Sequence, residues 1–184
     1  MKNLHTPVLA RGEARFLDDE PEPPGLLHAA VFTSPSPHGR ISSLDLSAAQ
    51  QLDGVVTVLT AADVPGANQV GGIIQDEPLL ADGTVHFVGQ PIALVVARTR
   101  RQARQAAALV EAEIEELPAV FNPRQAAAVG NLIAPSRTLS LGDVDEALAA
   151  CDVVVEGRAD TGGQEHLYLE TQAAMALPEE EGRL

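Results

Sequence analysis

Between Val85 and Pro118 the pattern of apolar and polar positions passes from a continuous apolar run, through a helical stripe, to strict alternation. Ile92 to Ala97 is unbroken and rich in β-branched residues, which predicts a strand covered on both faces. Thr99 offers an oxygen to cap a helix, and Gln102, three residues on, completes a capping-box pattern. Ala103, Ala106 and Ala107 fall at i, i+3, i+4 and make a narrow apolar stripe, with Arg100, Arg101, Arg104 and Gln105 over the remaining surface. From Val110 the period becomes two. Val110, Ala112 and Ile114 face one way, Glu111, Glu113 and Glu115 the other, and Pro118 stops the run. The pattern predicts one strand–helix–strand unit, with a right-handed crossover if its strands are parallel neighbours.

Around this unit, the run Gly12 to Pro24 is dense in acids and prolines and predicts a short strand near Ala14–Leu17 followed by a loop. Leu26 to Thr33 has almost no polar interruption and reads as a central strand. The turn-forming Ser34-Pro35-Ser36-Pro37-His38-Gly39 leads to a second strand at Arg40–Leu46. Ser47 is expected to cap a short helix through Leu52, Asp53-Gly54 to turn, and Val55–Leu59 to form a third strand. Thr60 to Asp63 has the spacing of a small capped turn. After Pro118 the periodicity fades, and Phe121–Arg137 reads as a connector at a domain boundary. Gly142 to Leu148 predicts a short helix opened by acids, Asp152–Arg158 a strand, and Gly162–Pro178 includes a further β-type run. That last segment looks cut from something longer.

At 184 residues the chain suits one well-buried domain with an appendage. Aromatics make up only 3% and Trp is absent, so Ala, Val, Leu and Ile must build the core. A formal charge of −14 argues against nucleic acid and against an anionic membrane surface. The single Cys151 excludes an intrachain disulfide and fits a reducing, cytoplasmic setting. Neither Met1–Ala10 nor any later run has the apolar length of a signal peptide or membrane span.

Motif chemistry is sparse. His5, His28, His38, His86 and His166 make no zinc-type pair at short helical spacing. No dinucleotide or phosphate glycine loop occurs, and no nucleophile elbow. Asp18, Asp19, Glu20 and Glu22 lack the glycine-hinged spacing of a hard-cation loop and read as solvated. Glu111, Glu113 and Glu115 read as the wet side of an edge strand, and Cys151 as a small buried hydrophobe. The exception is Gly162 to Thr171. There Gln164, Glu165 and His166 follow a glycine pair and precede Leu167-Tyr168-Leu169, so three polar side chains crowd a strand mouth. Two readings stay open: a ligand-binding mouth, and a hairpin with buried polar partners.

The joint pattern resembles the N-terminal part of the molybdopterin-binding subunit in the xanthine dehydrogenase/aldehyde oxidase family of molybdenum hydroxylases. The pieces, in family order, are GEARFLDD (Gly12–Asp19), LHAAVFTSPSPHGRI (Leu27–Ile41), VLTAADVPGAN (Val58–Asn68) and DEPLLAD (Asp76–Asp82). VGQPIALVVA (Val88–Ala97), EELPAV (Glu115–Val120) and GGQEHLYLETQ (Gly162–Gln172) continue it. Together they cover essentially the whole chain. Ser36-Pro37 is a small departure from the family pattern.

The resemblance implies an α/β (α+β) fold: an α/β-hammerhead domain over 12–124, then, over 125–184, a connector and the truncated start of the molybdenum-cofactor domain. It implies oxidative hydroxylation of a purine or aldehyde carbon with water as the oxygen source. Electrons would leave through 2Fe-2S centres and FAD to NAD, on partner subunits or domains. DEPLLAD and GQPIALVVA lean the resemblance towards the xanthine dehydrogenase type. It carries to Gln164 the place beside molybdenum, hydrogen-bonded to the oxo ligand, where a neutral amide can donate without bringing a carboxylate near. Gly162, Gly163, Glu165 and His166 would support it locally. The family's glycine-rich cofactor loop, its substrate-orienting arginine and its base glutamate have no counterpart here. No catalytic residue, no bound cofactor and no turnover are therefore expected of these 184 residues alone. The expected partners are the rest of the molybdenum subunit, a FAD/iron–sulfur subunit and a purine, within an oligomer. The rivals are a non-catalytic hammerhead scaffold, and the same family acting on aldehydes or other N-heterocycles. Unpaired strand edges predict self-association of the free chain.

Overall fold

The structure is a computed structural model that describes residues 6–167 and 172–183. In chain order its elements are α1 (Thr6–Ala10), β1 (His28–Thr33), β2 (Gly39–Asp45), α2 (Ser47–Gln51), β3 (Val55–Leu59), β4 (Thr84–Val85), β5 (Pro91–Ala97), α3 (Arg100–Ala107), β6 (Glu111–Glu116), α4 (Pro123–Ala128) and α5 (Val144–Ala149). Two compact units result, one of residues 23–133 and the other of the described parts of 1–22 and 134–184.

The first unit holds two antiparallel three-stranded sheets, ordered β1-β5-β3 and β4-β2-β6. Strand β5 is the predicted apolar run. It is flanked on both edges, and Ile92, Ala93, Val95 and Ala97 are buried along it. Helix α3 lies on this sheet through Ala103, Ala106 and Ala107, whose small side chains allow a close approach. Its cap is half of the predicted box. Thr99 Oγ1 accepts from Gln102 N at 3.2 Å and donates to Gln102 Oε1 at 2.8 Å, while the Nε2 of the same amide donates to Asp53 O at 3.0 Å. That ties the helix start to the Asp53-Gly54 turn, where Gly54 has φ +84° and any Cβ would strike the Gln102 side chain.

The strand–helix–strand unit forms, but its strands are not neighbours. β1 and β3 already occupy both edges of β5, so the chain leaving α3 turns tightly at Leu109, buries Val110 and pairs β6 with β2 in the other sheet. The parallel-crossover rule therefore has nothing to act on. Strand β6 is an edge strand with Glu111, Glu113 and Glu115 exposed, as its alternation predicts. Arg40 sits opposite Glu115 and pairs with it at 3.5 Å, exposed on both sides. A bulge between Ile41 and Ser43 shifts the period, so Ile41 and Leu44, three apart, both turn inward. Gly39 meets β6 so closely that a Cβ there would overlap Ile114 and lie 2.8 Å from Glu115 O.

Two buried clusters result, one centred on Ala93, Val95 and Ala106, the other on Ala81, Val85 and Ile92. Phe32 and Leu44 pack against both and join them.

Several local expectations are corrected. β1 is an edge strand, not a central one: among the described residues only β5 pairs with it, and Val31 is 47% exposed. An apolar run does not reveal whether its second face is covered. Ser47 is the first residue of α2 rather than its cap; Asp45 Oδ1 accepts from Ser47 N at 2.8 Å and from its hydroxyl at 2.6 Å. The hydroxyl first, then the N–H, holds the Asp45 carboxyl below its ordinary pKa. Within the predicted connector, α4 forms because Asn122 Oδ1 accepts from Arg124 N at 2.9 Å and Pro123 suits the first helical position. The turn at Ala61–Asp63 is as expected: Asp63 Oδ2 accepts from Thr60 N at 2.8 Å and Thr60 Oγ1 at 2.9 Å.

In the second unit Leu17–Asp19 is a 3-10 turn rather than the end of a strand, because Asp19 Oδ2 accepts from Phe16 N at 3.0 Å and closes the backbone. Helix α5 starts where expected, with Asp143 Oδ1 accepting from Glu146 N at 2.9 Å. Residues 152–158 are not a strand. Val153, Val154 and Val155 are all exposed and no described residue pairs with them.

Candidate functional site

Gly162 to Leu167 forms neither helix nor strand, and each of these residues is exposed. The predicted strand mouth is therefore absent over the described part of the motif, while Tyr168, Leu169, Glu170 and Thr171 lie outside the described residues. Without paired backbone on either side, alternating apolar residues have no ladder to join. Glu165 Oε1 accepts from Leu167 N at 3.4 Å, across a backbone that takes φ +43° at Leu167. Gln164, Glu165 and His166 follow one another on solvated chain, and a Cβ at Gly162 or Gly163 would meet open space.

Cys151 is exposed, not buried, and its Sγ donates to Ala147 O at 3.2 Å. It lies at the end of α5, a helix with no buried residue. Asp18, Asp19, Glu20 and the β6 glutamates form no metal-holding cluster; among the described residues no group of at least three His, Cys, Asp or Glu does. No helix among them is long and apolar enough to cross a membrane.

A more ordered polar arrangement lies in the first unit, and motif reading missed it. The turn after β1 and the turn before β5 are laced together through two buried residues, Ser34 and Gln90. Ser34 N donates to Gln90 O and Gly89 N to Ser34 O, each at 2.8 Å. Ser34 Oγ donates to Ser36 O at 2.8 Å, and Gln90 Oε1 accepts from His86 N at 2.7 Å. Every buried side-chain polar atom among the described residues has a partner. This lacing sets His38 and His86 beside each other, with ring centroids 5.8 Å apart and planes 24° from parallel. His38 Nδ1 lies 2.8 Å from Pro118 O. A carbonyl only accepts, so Nδ1 carries a hydrogen, and in the neutral ring Nε2 then keeps its lone pair. The two rings line a groove of about 450 Å³ together with Phe87, Phe121 and Asn131. The usable signal was strand register rather than short spacing: Gly39 opposes Val85 in β2–β4, so the next pair outward is His38 with His86.

Comparison with known proteins gives this fold its place. A sequence model described as "Aldehyde oxidase and xanthine dehydrogenase, a/b hammerhead domain" matches residues 11–118. The chain belongs to the aldehyde oxidase and xanthine dehydrogenase family. A second model, "Molybdopterin cofactor-binding domain", matches residues 126–184 of this family member. Xanthine dehydrogenase of Oryza sativa subsp. japonica is 41% identical over 97% of the chain. Aldehyde oxidase 2 of Cavia porcellus is 42% identical over 94%. The chain spans 13% of the length of each of these relatives. Among solved structures it resembles CO dehydrogenase from Oligotropha carboxidovorans, with TM-score 0.60 and 36% identity over 68% of this chain and 16% of that one. Quinoline 2-oxidoreductase from Pseudomonas putida 86 gives TM-score 0.59 and 38% identity over 72% and 17%. The mixed helix-and-sheet hammerhead fold and the molybdenum-hydroxylase family thus agree with the reading from sequence.

Proposed function

We propose that this chain is the N-terminal part of the molybdenum-containing subunit of a cytoplasmic oxidoreductase of the xanthine dehydrogenase type. In this reading 12–124 is the hammerhead domain and 125–184 carries the connector and the opening of the cofactor domain. The observation that carries it is the order of the two matches, hammerhead then cofactor-binding, with the Gly162–His166 motif inside the second. The reaction is hydroxylation of hypoxanthine or xanthine carbon with water as the oxygen source. Its electrons go through 2Fe-2S centres and FAD to NAD, held by partner subunits or domains.

The donor chemistry of the motif suits a molybdenum cofactor. Gln164 is a neutral amide that donates without adding negative charge beside an oxo group. The adjoining glycines carry no side chain to obstruct an approaching ligand. The cofactor, when bound, supplies the two-electron acceptor for the hydroxylation. Gln164 would hydrogen-bond the cofactor's oxo group through its side-chain N–H, and Glu165 and His166 would hold the local backbone. The 184 residues alone hold no cofactor and do not turn over, because the general base is not among them.

The natural protein that contains this chain tests the proposal. Gln164→Ala is expected to keep its molybdenum and lower kcat for xanthine about 100-fold, as loss of one positioned donor does. A parent protein without molybdenum, or a Gln164→Ala variant with unchanged kcat, overturns it. A second reading, aldehydes as substrate, is favoured by the 42% identity to an aldehyde oxidase. Oxidation of aromatic aldehydes with no oxidation of xanthine decides for it. A parent that oxidises neither leaves the hammerhead as a scaffold for assembly.

A further inference from the structure

We propose that His38 and His86 form a two-histidine site for a late first-row divalent cation, of the Zn²⁺, Ni²⁺ or Cu²⁺ class. The argument begins with register. β2 and β4 are antiparallel, Gly39 opposes Val85 and Arg40 opposes Thr84, so His38 and His86 are the next facing pair beyond the ladder. Facing residues in an antiparallel pair bring their Cβ atoms to about 4.5–5.5 Å, close enough for two side chains to share one ligand. The rings do meet, with centroids 5.8 Å apart. The rings are stacked with planes 24° from parallel, so the His86 ring has to turn before both in-plane lone pairs converge on one cation; bound about 2.0–2.1 Å from one nitrogen of each ring, that cation would hold the centroids roughly 4.5–6 Å apart.

The second argument is orientation. Metal-binding histidines commonly donate their other ring N–H to a carbonyl, which fixes the tautomer and raises ligand basicity. His38 has this arrangement: Nδ1 donates to Pro118 O at 2.8 Å, leaving Nε2 as the coordinating atom. The backbone under His86 is held equally firmly, since its N–H donates to the buried Gln90 side chain at 2.7 Å. Its ring is exposed and can rotate to turn a lone pair towards the cation. Imidazole donors select Zn²⁺, Ni²⁺ and Cu²⁺ over Mg²⁺ and Ca²⁺, which prefer oxygen. With no third His, Cys, Asp or Glu clustered here among the described residues, water fills the remaining positions, and the groove has room for it. The net charge of −14 favours a cation over an anion.

The test is a Zn²⁺ titration of the 184-residue chain, followed through the imidazole resonances by NMR, with Mg²⁺ as the hard-cation control. Zn²⁺ is expected to shift the His38 and His86 rings together with one saturation curve, and Mg²⁺ to leave them alone. His38→Asn keeps an amide N–H for Pro118 O but removes the coordinating nitrogen. It is expected to weaken the Zn²⁺ response of His86 at least about tenfold. His28→Gln is expected to leave the response of both rings intact, and circular dichroism checks that each variant keeps its fold. The proposal is overturned if Zn²⁺ moves neither ring, moves only one, or shifts His86 as strongly in His38→Asn as in the parent chain. His86→Gln provides the same decision from the exposed side should His38→Asn not fold.

Discussion

Two runs that each carry three β-branched residues end in opposite states. Ile92 to Ala97 and Asp152 to Arg158 are both rich in β-branched residues. The first becomes a strand with Ile92 and Val95 buried, and in the second Val153 and Val155 are 77% and 87% exposed with no strand formed. β-Branched content is therefore not the deciding quantity. β5 has β1 on one edge and β3 on the other, and α3 packs on the same sheet, so its backbone groups are paired and its apolar area is removed from water. Residues 152–158 have no paired strand among the described residues. A β-propensity scale measures how well a residue fits a half-buried pleated surface, and it has nothing to act on until that surface exists.

The strongest way to break this comparison is to truncate one residue in each run. Ile92→Ala should cost about 2–5 kcal/mol in urea denaturation of the chain, through lost transfer energy and an unfilled cavity. Val154→Ala should change stability by less than about 0.5 kcal/mol. Equal losses would mean that the exposed run is as tightly packed as β5.

Helix caps sharpen the same contrast at smaller amplitude. Thr99 caps α3, which buries three alanines, and Asp143 caps α5, which buries none. Thr99→Ala is expected to lower global stability by about 1 kcal/mol. Asp143→Ala is expected to reduce helicity of α5, read from backbone chemical shifts, without moving the main unfolding transition. A shift of that transition by both variants would join the fates of the two helices.

The smallest effect expected is a pH dependence in the first unit. The Thr60 N–H, and then its hydroxyl, hold the Asp63 carboxyl below its ordinary pKa. Because the folded value lies below the unfolded one, the stabilisation is present above the ordinary carboxylate range and fades as pH falls through the folded value. Asp63→Asn should therefore lose slightly more stability at neutral pH than in acid, and thermal unfolding across that range should show a shallower acid limb. An unchanged pH profile would show that the turn does not depend on the carboxylate.

The candidate sites divide along a similar line. The Gly162–His166 motif was legible because its residues are contiguous and belong to a family pattern, yet the structure leaves them exposed and outside any helix or strand. His38 and His86 were invisible to a search for short spacings, since strand pairing and the Ser34–Gln90 lacing bring them together from distant turns. Cys151 was misread for a related reason: a thiol between an alanine-rich helix and a valine run looks buried only if both pack against something, and α5 has no buried residue.

Local chemistry alone determined the alanine stripe of α3, the alternating face of β6, the Thr60–Asp63 turn and the Asp143 start of α5. Each depends on groups within a few residues, whose spacing is set by the 3.6- and 2-residue periods and by short side-chain reach. Only tertiary structure decided that β1 is an edge strand, that β5 and β6 lie in different sheets, that Gln102 reaches Asp53 as well as the Thr99 hydroxyl, and that two histidines face one another. Those outcomes depend on which distant backbone edge is already occupied, and a one-dimensional pattern carries no record of occupancy.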